Sequence, residues 1–300
     1  MTINPLLNRL GYSNNDRLVI FHSDDIGMCQ ASVQAYAELI DFGLLSSAAT
    51  MVPCPWFPAT AVYCRDNQAS KPHIDMGVHL TLTSEWETYR WGPISTSRPE
   101  SGLRDKGGYF YPLSVLAQNH WQLDAVAAEV EAQIERALAA DIDVTHIDSH
   151  MGSIFHPASI SIYIQAAAKY KLPALTLRAD VLLGNWAGSA FSDEDLATLR
   201  EMEDAGVPMV DDVVVFPLDH AENRLEEGKQ MLDKLPIGVT CVLLHPSVDT
   251  PELRAIAPDW RCRVADYKLF TDDAWQTAVE DSGVKVIGWR TIRDLIRSEA

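Results

Sequence analysis

Short runs of β-branched residues alternate along the chain with longer segments in which apolar residues recur at helical spacing. The run LVIF at 18–21 is typical of a buried strand, and a polar turn and a helical pattern follow it. The segment 124–140 is the clearest helix, because Val126, Val130, Ile134 and Leu138 share one face. The strands predicted in this way lie at 18–21, 46–52, 75–82, 144–147, 174–177, 213–216, 239–244 and 284–287.

The repetition of strand, helix and strand predicts an α/β fold with parallel strands and crossover helices. A length of 300 residues suits a single TIM-like (β/α) barrel better than an open doubly wound sheet. No G-x-G-x-x-G segment follows the first strand, which disfavours a dinucleotide-binding fold. We therefore expect one domain over residues 1–300, with insertions near 84–112 and 182–211 that are long enough to act as lids or binding loops.

The net charge and the cysteines indicate which kinds of binding partner and which cellular compartment to expect. A formal net charge of −18 repels phosphate backbones and anionic lipid, so nucleic acid and membranes are not expected as partners, whereas a neutral or cationic ligand is. The N-terminal residues lack the pattern of a signal peptide. The five cysteines include no C-x-x-C pair, which favours reduced, buried thiols in a cytoplasmic protein. Base rates favour a homodimer as the assembly.

Polar residues follow several of the predicted strands, at the end where parallel α/β folds place their ligand sites. These residues are His22, Ser23, Asp24 and Asp25 after the first strand, His79 at the end of the third, His146, Asp148 and His150 after the fourth, and His245 after the strand at 239–244. Because separate strands deliver histidine or aspartate to the same end of the domain, the sequence predicts a common site there.

Asp24 and Asp25 are adjacent carboxylates on a strand-to-helix turn, where their repulsion needs relief by a proton or a cation. One interpretation is that one of them caps the next helix, since aspartate is a favoured N-cap residue. The other is that one carboxylate binds a metal ion while its neighbour accepts a proton from water. The histidines expected nearby favour the metal site.

The histidines also allow more than one structural interpretation. His79 lies in the alternating segment GVHLTLT, which predicts a polar inner face, although a hydrogen-bonded core histidine is also compatible. His146, Asp148 and His150 point the same way if the strand continues to His150, and otherwise His150 lies on the loop above the barrel. In either case, Asp148 is also compatible with a role in orienting one histidine, as carboxylates do for histidines that bind metals.

Two imidazoles and a carboxylate with open coordination positions form a hydrolytic metal arrangement. A cationic histidine near such an ion can protonate a leaving amine, and His245 is placed for that role. A structural role for His245 is equally compatible, because histidine before proline is also typical of a plain strand exit. His156 precedes Pro157 at an expected helix start and is left outside the site.

Three segments together resemble the YdjC-like (ChbG/HpnK-type) carbohydrate deacetylases. SDDIGM at 23–28 is similar to the family's N-A-D-D-F-G turn, GVHLTLT at 77–83 to its G-x-H-x-x-L-T segment, and THIDSHMG at 145–152 to its T-H-x-D-S-H segment. LLHPS around His245 and TLRAD at 176–180 match later segments more weakly. The order and the approximate spacing agree from about Leu18 to the C-terminal strand and helix.

The resemblance implies a distorted (β/α) barrel that hydrolyses an N-acetyl group from an amino sugar or short oligosaccharide with one divalent cation. It implies that Asp25, His79 and His150 hold the metal, with Asp24 as the general base and His245 as a candidate acid. Zn²⁺ or Mg²⁺ is expected, and Mn²⁺, Co²⁺ and Ni²⁺ are also compatible with these ligands. His146, Asp148 and Arg178 are placed around the ligands or at the substrate, where Arg178 would orient Asp24 or contact sugar.

The chain departs from the family pattern after His150, where MGSIFH replaces a histidine-rich tail. Ser23 and Ile26 also replace the family's alanine and phenylalanine around the aspartates. The aromatic residues of 84–112 either stack on sugar rings or pack the loop onto the barrel. These departures leave two alternatives open, namely a metal-dependent amidase or esterase with another small substrate, and a non-catalytic sugar-binding barrel.

Overall fold

The computed structural model describes residues 3–185 and 192–299. The strands are β1 (Arg17–Ile26), β2 (Ser47–Thr50), β3 (Met76–Leu80), β4 (Val144–Ser149), β5 (Asp212–Val215), β6 (Gly238–Leu244) and β7 (Lys285–Val286). The helices are α1 (Pro5–Arg9), α2 (Gln30–Phe42), α3 (Phe57–Asn67), α4 (Ser114–Gln118), α5 (Leu123–Ala139), α6 (Ile160–Tyr170), α7 (Ala179–Asn185), α8 (Asp193–Asp204), α9 (Arg224–Lys234), α10 (Pro251–Ile256), α11 (Trp260–Leu269), α12 (Asp273–Asp281) and α13 (Trp289–Glu299), with 3₁₀ turns at Pro99–Ser101 and His150–Gly152.

The strands pair in parallel in the order β4-β3-β2-β1-β6-β5. β6 pairs with β1 along Arg17 to Ser23, so β7 and β2 share the opposite edge of β1. The predicted strand at 174–177 is present only as bridges, from Ala174 to Ile147 of β4 and from Leu177 to Val210 just before β5. These bridges join the two edge strands and close the sheet, which confirms the expected distorted (β/α) barrel.

The alternation of side chains along β1 separates the outside of the barrel from its interior. Val19 and Phe21 pack in the larger core with residues of the surrounding helices. Leu18 and Ile20 pack in a second cluster with residues of β6 and with Leu6, Leu7, Trp289 and Ile292 of the first and last helices. His22 and Asp24 continue the alternation of Leu18 and Ile20. The interior of the barrel is therefore apolar at its amino end and polar at its carboxyl end.

The two predicted insertions are built differently. Residues 84–112 form an irregular loop with one 3₁₀ turn, and this loop is tied to α5 by Glu129, whose buried carboxylate accepts hydrogen bonds from the backbone N–H groups of Ile94 and Ser95. The region 182–211 instead contains the end of α7 and all of α8. Trp186, which was expected in this insertion, lies outside the described residues.

All five cysteines are unpaired and buried, as their spacing predicted. Within the described ranges, no helix combines the length and the apolar character needed to cross a membrane.

Candidate metal centre

A bulge in β1 brings Asp24 and Asp25 to the same site. The pairing of β1 with β2 shifts register between Ser23 and Ile26, and Asp25 has a positive φ of 62°. In a regular strand, neighbouring side chains point to opposite faces, but here both carboxylates face His79 Nε2, at 4.0 Å for Asp24 and 3.4 Å for Asp25. The capping interpretation is wrong for both aspartates, because α2 begins at Gln30 after the N-cap residue Cys29.

Asp25, His79 and His150 bring one potential ligand atom each to within 4.8 Å of one another. Asp25 Oδ1 lies 3.1 Å from His150 Nδ1 and 3.4 Å from His79 Nε2, and it is buried without a hydrogen-bond partner. Ligand atoms about 2.0–2.2 Å from a shared ion lie about 3–3.5 Å apart. The chemistry and the spacing of these donors therefore fit a divalent metal ion.

The other nitrogen of each of these histidines faces a carboxylate. His79 Nδ1 lies 2.9 Å from Asp148 Oδ1, and His150 Nε2 lies 3.0 Å from the Glu85 carboxylate. Such outer carboxylates fix the orientation and the tautomer of a histidine that binds metal. His150 lies in the 3₁₀ turn that follows β4, so the position above the barrel is the correct alternative for this residue.

Several buried carboxylates lie close together in the site, and their negative charge favours a positive charge beside them. Burial alone would lower the pKa of His150, but Glu85 and Asp25 beside it raise that pKa to about 9. Burial likewise opposes the effect of Asp148 and Asp24 on His79, whose pKa is raised well above its usual value. Without another cation, the carboxylates therefore hold protons on these imidazoles. A metal ion would supply the same charge and displace the protons.

Arg263 and Glu85 surround the proposed metal ligands Asp25 and His150, and neither was predicted from the sequence. Arg263, on α11, places Nη1 2.7 Å from Asp25 Oδ2 and is itself buried. Burial alone would raise the pKa of Asp25, but Arg263 and His150 outweigh it and hold that pKa well below its usual value. Asp25 thus keeps its charge, with one oxygen on Arg263 and the other facing the two imidazoles.

The expectation that Arg178 orients Asp24 does not match the ion pairs of the structure. Arg178 Nε lies 2.6 Å from Glu203 Oε1, and its Nη1 lies 3.0 Å from Asp211 Oδ1. The arginine that contacts the aspartate pair is Arg263. The signal for Arg178 was the weak resemblance of TLRAD at 176–180 to a family segment, whereas no motif marks Arg263, which lies in the middle of α11. A contact between Arg178 and sugar stays a prediction.

Asp24 is held on one side only. Asp24 Oδ1 lies 3.1 Å from His22 Nε2, in the barrel interior below it. Asp24 Oδ2 faces His245 Nε2 at 3.6 Å and His79 Nε2 at 4.0 Å. The backbone N–H of His245 donates to Asp266 at 3.0 Å, which fixes the strand exit there. The structure thus brings together Asp24 and His245, although their catalytic roles stay predictions.

His146 lies deeper in the barrel than the predicted ligands. It is fully buried, stacks on Trp289 at 5.3 Å and meets the edge of His22 at 4.9 Å. A Cβ at Gly77 would lie 2.4 Å from the ring, so glycine at that position makes room for this histidine. Burial and the nearby charge of His22 lower the pKa of His146 well below its usual value. His146 therefore belongs to the floor of the site.

Part of the aromatic loop packs against the site. Trp91 is 3% exposed, donates Nε1–H to Thr83 O at 2.7 Å and lies edge-on to His150 at 6.2 Å. Trp86 lies against Trp91 and under the guanidinium of Arg263. Phe110 is also buried, whereas Tyr109 is exposed. The packing alternative is thus correct for Trp91 and Phe110, whereas Tyr109 is exposed with its ring against the Arg90 guanidinium.

The chain is similar to known proteins along most of its length. The family model described as YdjC-like protein matches residues 18–281. The chain is 30% identical to a carbohydrate deacetylase of Thermus thermophilus, over 97% of this chain and 99% of that protein. It is 23% identical to a carbohydrate deacetylase of Thermoanaerobacter pseudethanolicus, over 92% and 100%. A solved Enterococcus faecalis protein, for which cellobiose-phosphate cleavage has been suggested, has the same fold, with a TM-score of 0.75, 22% identity and coverage of 92% and 99%.

Proposed function

The chain belongs to the YdjC-like protein family, and on that basis we propose that it removes the N-acetyl group from an amino sugar or a short oligosaccharide with the help of one divalent metal ion. The family relation makes it a hydrolase of carbon–nitrogen bonds other than peptide bonds. The observation that carries the proposal is the meeting of Asp25, His79 and His150 beside Asp24 at the carboxyl end of the barrel. The net charge of −18 supports a neutral carbohydrate as the ligand.

The metal would be held by Asp25, His79 and His150. When bound, it would polarise the acetamide carbonyl and acidify a water molecule. The mixed nitrogen and oxygen donors suit Zn²⁺ and also admit Mg²⁺. Arg263 keeps Asp25 ionised, and Asp148 and Glu85 orient the two histidines.

Asp24 and His245 would move the protons of the reaction. Asp24 Oδ2 faces the site and accepts a proton from the attacking water. The water oxygen bonds to the acetyl carbon, and the bond between that carbon and the sugar nitrogen then breaks. His245, 3.6 Å from Asp24 Oδ2, donates a proton to the departing amine. The products are acetate and the free amino sugar.

The test combines metal analysis with product analysis on one preparation of the protein. We expect a bound divalent metal, and acetate release from N-acetylglucosamine oligomers that matches the amine formed. Chelation should abolish this release, and Zn²⁺ or Mg²⁺ should restore it. Turnover that survives complete removal of metal would overturn the metal-dependent mechanism. Binding of the oligomers without turnover under any metal would favour a non-catalytic sugar-binding barrel.

One observation favours a second candidate, a metal-dependent amidase or esterase on another small substrate. Met151, directly after His150, is 56% exposed and has a positive φ of 54°, at the point where the family's histidine-rich tail is lost. An apolar residue at the rim of the site would suit a less polar substrate. A panel of acetylated sugars, simple amides and simple esters separates the two candidates by their relative kcat/KM.

A further inference from the structure

His22 lies beneath the site, with one of its nitrogens within ion-pair distance of two carboxylates. The side chain is fully buried. Its Nε2 lies 3.1 Å from Asp24 Oδ1 and 3.0 Å from Asp148 Oδ2. Asp24 belongs to the proton-handling part of the proposed site, and Asp148 Oδ1 lies 2.9 Å from Nδ1 of the proposed ligand His79. His22 therefore joins the two parts of the site from below.

The opposite side of the ring is held by a buried hydrogen-bond chain. His22 Nδ1 lies 3.0 Å from Ser47 Oγ, and the Ser47 hydroxyl donates to Asp75 Oδ1 at 3.2 Å. Asp75 also accepts hydrogen bonds from the Thr145 hydroxyl at 2.6 Å and from the Arg290 backbone N–H at 2.6 Å. The ring is thus anchored to β2, β4 and the start of α13.

The direction of these hydrogen bonds defines the protons on His22. Because the Ser47 hydroxyl donates its proton to Asp75, its oxygen accepts from His22 Nδ1. Because Nε2 faces two carboxylates, it must also carry a proton. Burial opposes a charged ring, but the hydrogen bond to Asp148 and the negative charges of Asp148 and Asp24 outweigh it and raise the pKa of His22 to about 9. Because both nitrogens face acceptors, we expect a proton on each of them.

We propose that His22 is the positioning residue of Asp24: its Nε2, which is hydrogen-bonded to Asp148, also makes a charged contact with Asp24 Oδ1 at 3.1 Å from the barrel interior, and this contact aims Oδ2 at the site between His79 and His245. This inference rests on the proposed role of Asp24 as the base. Of the two Asp24 oxygens, Oδ1 has the closer contact, and Oδ2 faces only longer ones. Loss of His22 would free the carboxylate to turn, and misplacing a catalytic group by about 1 Å can cost on the order of 10²-fold in rate.

The first test compares His22→Leu with His22→Gln. Glutamine places an amide N–H about as far from the backbone as Nε2, whereas leucine has a similar bulk and no donor. For His22→Leu we expect kcat to fall about 10²-fold, with KM and metal content unchanged within about twofold. His22→Gln should recover kcat to within about tenfold of the unaltered protein. Wild-type kcat in His22→Leu, or equal loss in both variants, would overturn the proposal.

The second test does not depend on turnover, so failure of the deacetylase proposal would not affect it. In protein labelled with ¹⁵N-histidine, we expect two protected ring N–H signals that disappear in His22→Gln. Asp24→Asn should shift chiefly the Nε2 signal, and Ser47→Ala should shift chiefly the Nδ1 signal. A single ring N–H on His22, or an Nε2 signal that does not respond to Asp24→Asn, would contradict the proposed contact even if His22→Leu does not fold.

Discussion

Asp24 and Asp25 are neighbours in the chain, yet they lie in two differently built halves of the site. Asp25 is enclosed, with Arg263 at 2.7 Å, His150 at 3.1 Å and His79 at 3.4 Å. Asp24 has one close contact, His22 at 3.1 Å, and its second oxygen faces longer distances. A carboxylate that holds an ion needs fixed geometry and full charge, whereas one that accepts a proton needs an oxygen that is not already occupied. The two environments suit these two tasks.

The halves also draw on different parts of the fold. The Asp25 half depends on residues brought in from outside the strands, Arg263 from α11 and Glu85 from the long loop. The Asp24 half is supported by strand residues in the barrel interior, His22 and Ser47. Damage to the first half should therefore change metal binding, and damage to the second should change the rate with the metal in place.

The largest effect is expected for Asp25→Ala. This substitution removes the proposed ligand oxygen and also leaves Arg263 buried beside an empty space. We expect loss of bound metal, no measurable deacetylation and a decrease of about 3 kcal/mol in the free energy of unfolding, the low end for a broken buried pair because Asp259 still contacts Arg263. Metal analysis and urea denaturation measure these effects. A variant that keeps a full equivalent of metal would contradict the assignment of the Asp25 half.

Asp24→Asn should show most clearly that the two halves of the site have different tasks. Asparagine keeps the size of the side chain but cannot accept the proton of the attacking water. We expect kcat to fall about 10²–10⁴-fold, the usual contribution of a general base, while the metal content stays at that of the unaltered protein. Steady-state kinetics and metal analysis of the same sample provide the measurement. Full activity with the metal bound would exclude Asp24 as the base.

His245→Gln tests the second member of the Asp24 half. Its anchoring hydrogen bond to Asp266 comes from the backbone, so the substitution should leave the strand exit intact. We expect kcat on an N-acetylated sugar to fall about 10²-fold, because the departing amine needs a proton. An activated aryl acetate, whose leaving group needs none, should be hydrolysed nearly as fast as before. Equal losses on both substrates would indicate that His245 has a structural role or acts on the metal half.

The pattern of strands and helices was sufficient to predict the barrel, but it predicted the wrong strand end where polar residues continue a strand. The run 18–21 was expected to end β1, because HSDD has the composition of a turn, yet β1 continues to Ile26. Those polar residues remain in the strand because His22 and Asp24 find partners inside the barrel. The segment 174–177 also has the composition of a strand, but it pairs only through isolated bridges.

The sequence predicted those site residues whose positions are determined by the carboxyl ends of the strands. Asp25, His79 and His150 lie at or just beyond the carboxyl ends of their strands, so the topology alone places them together. The bulge that turns Asp25 into the site depends on a positive φ, which no residue type in that segment required. Arg263 and Glu85 arrive from a helix and a loop, where a single charged residue has the same pattern as any surface position. Only tertiary packing identifies them.

The smallest effect is expected for Glu85→Gln, in the Asp25 half. Burial would raise the pKa of Glu85, but the neighbouring His150 outweighs it and lowers that pKa, so Glu85 is a charged partner of the histidine. Loss of this charge should weaken metal binding about 10–100-fold, as removal of an outer partner of a metal ligand usually does.

At saturating metal, however, the activity of Glu85→Gln should return to nearly that of the unaltered protein, because the Asp24 half is untouched. Glu87→Gln, which removes the same charge from an exposed position two residues further along the loop, serves as the matched control and should leave metal affinity unchanged. Titration of the chelated proteins with Zn²⁺ measures both affinities. If Glu85→Gln stayed slow at saturating metal, the loop would act on the proton-handling half as well, and the division between the two aspartates would be weaker than their contacts indicate.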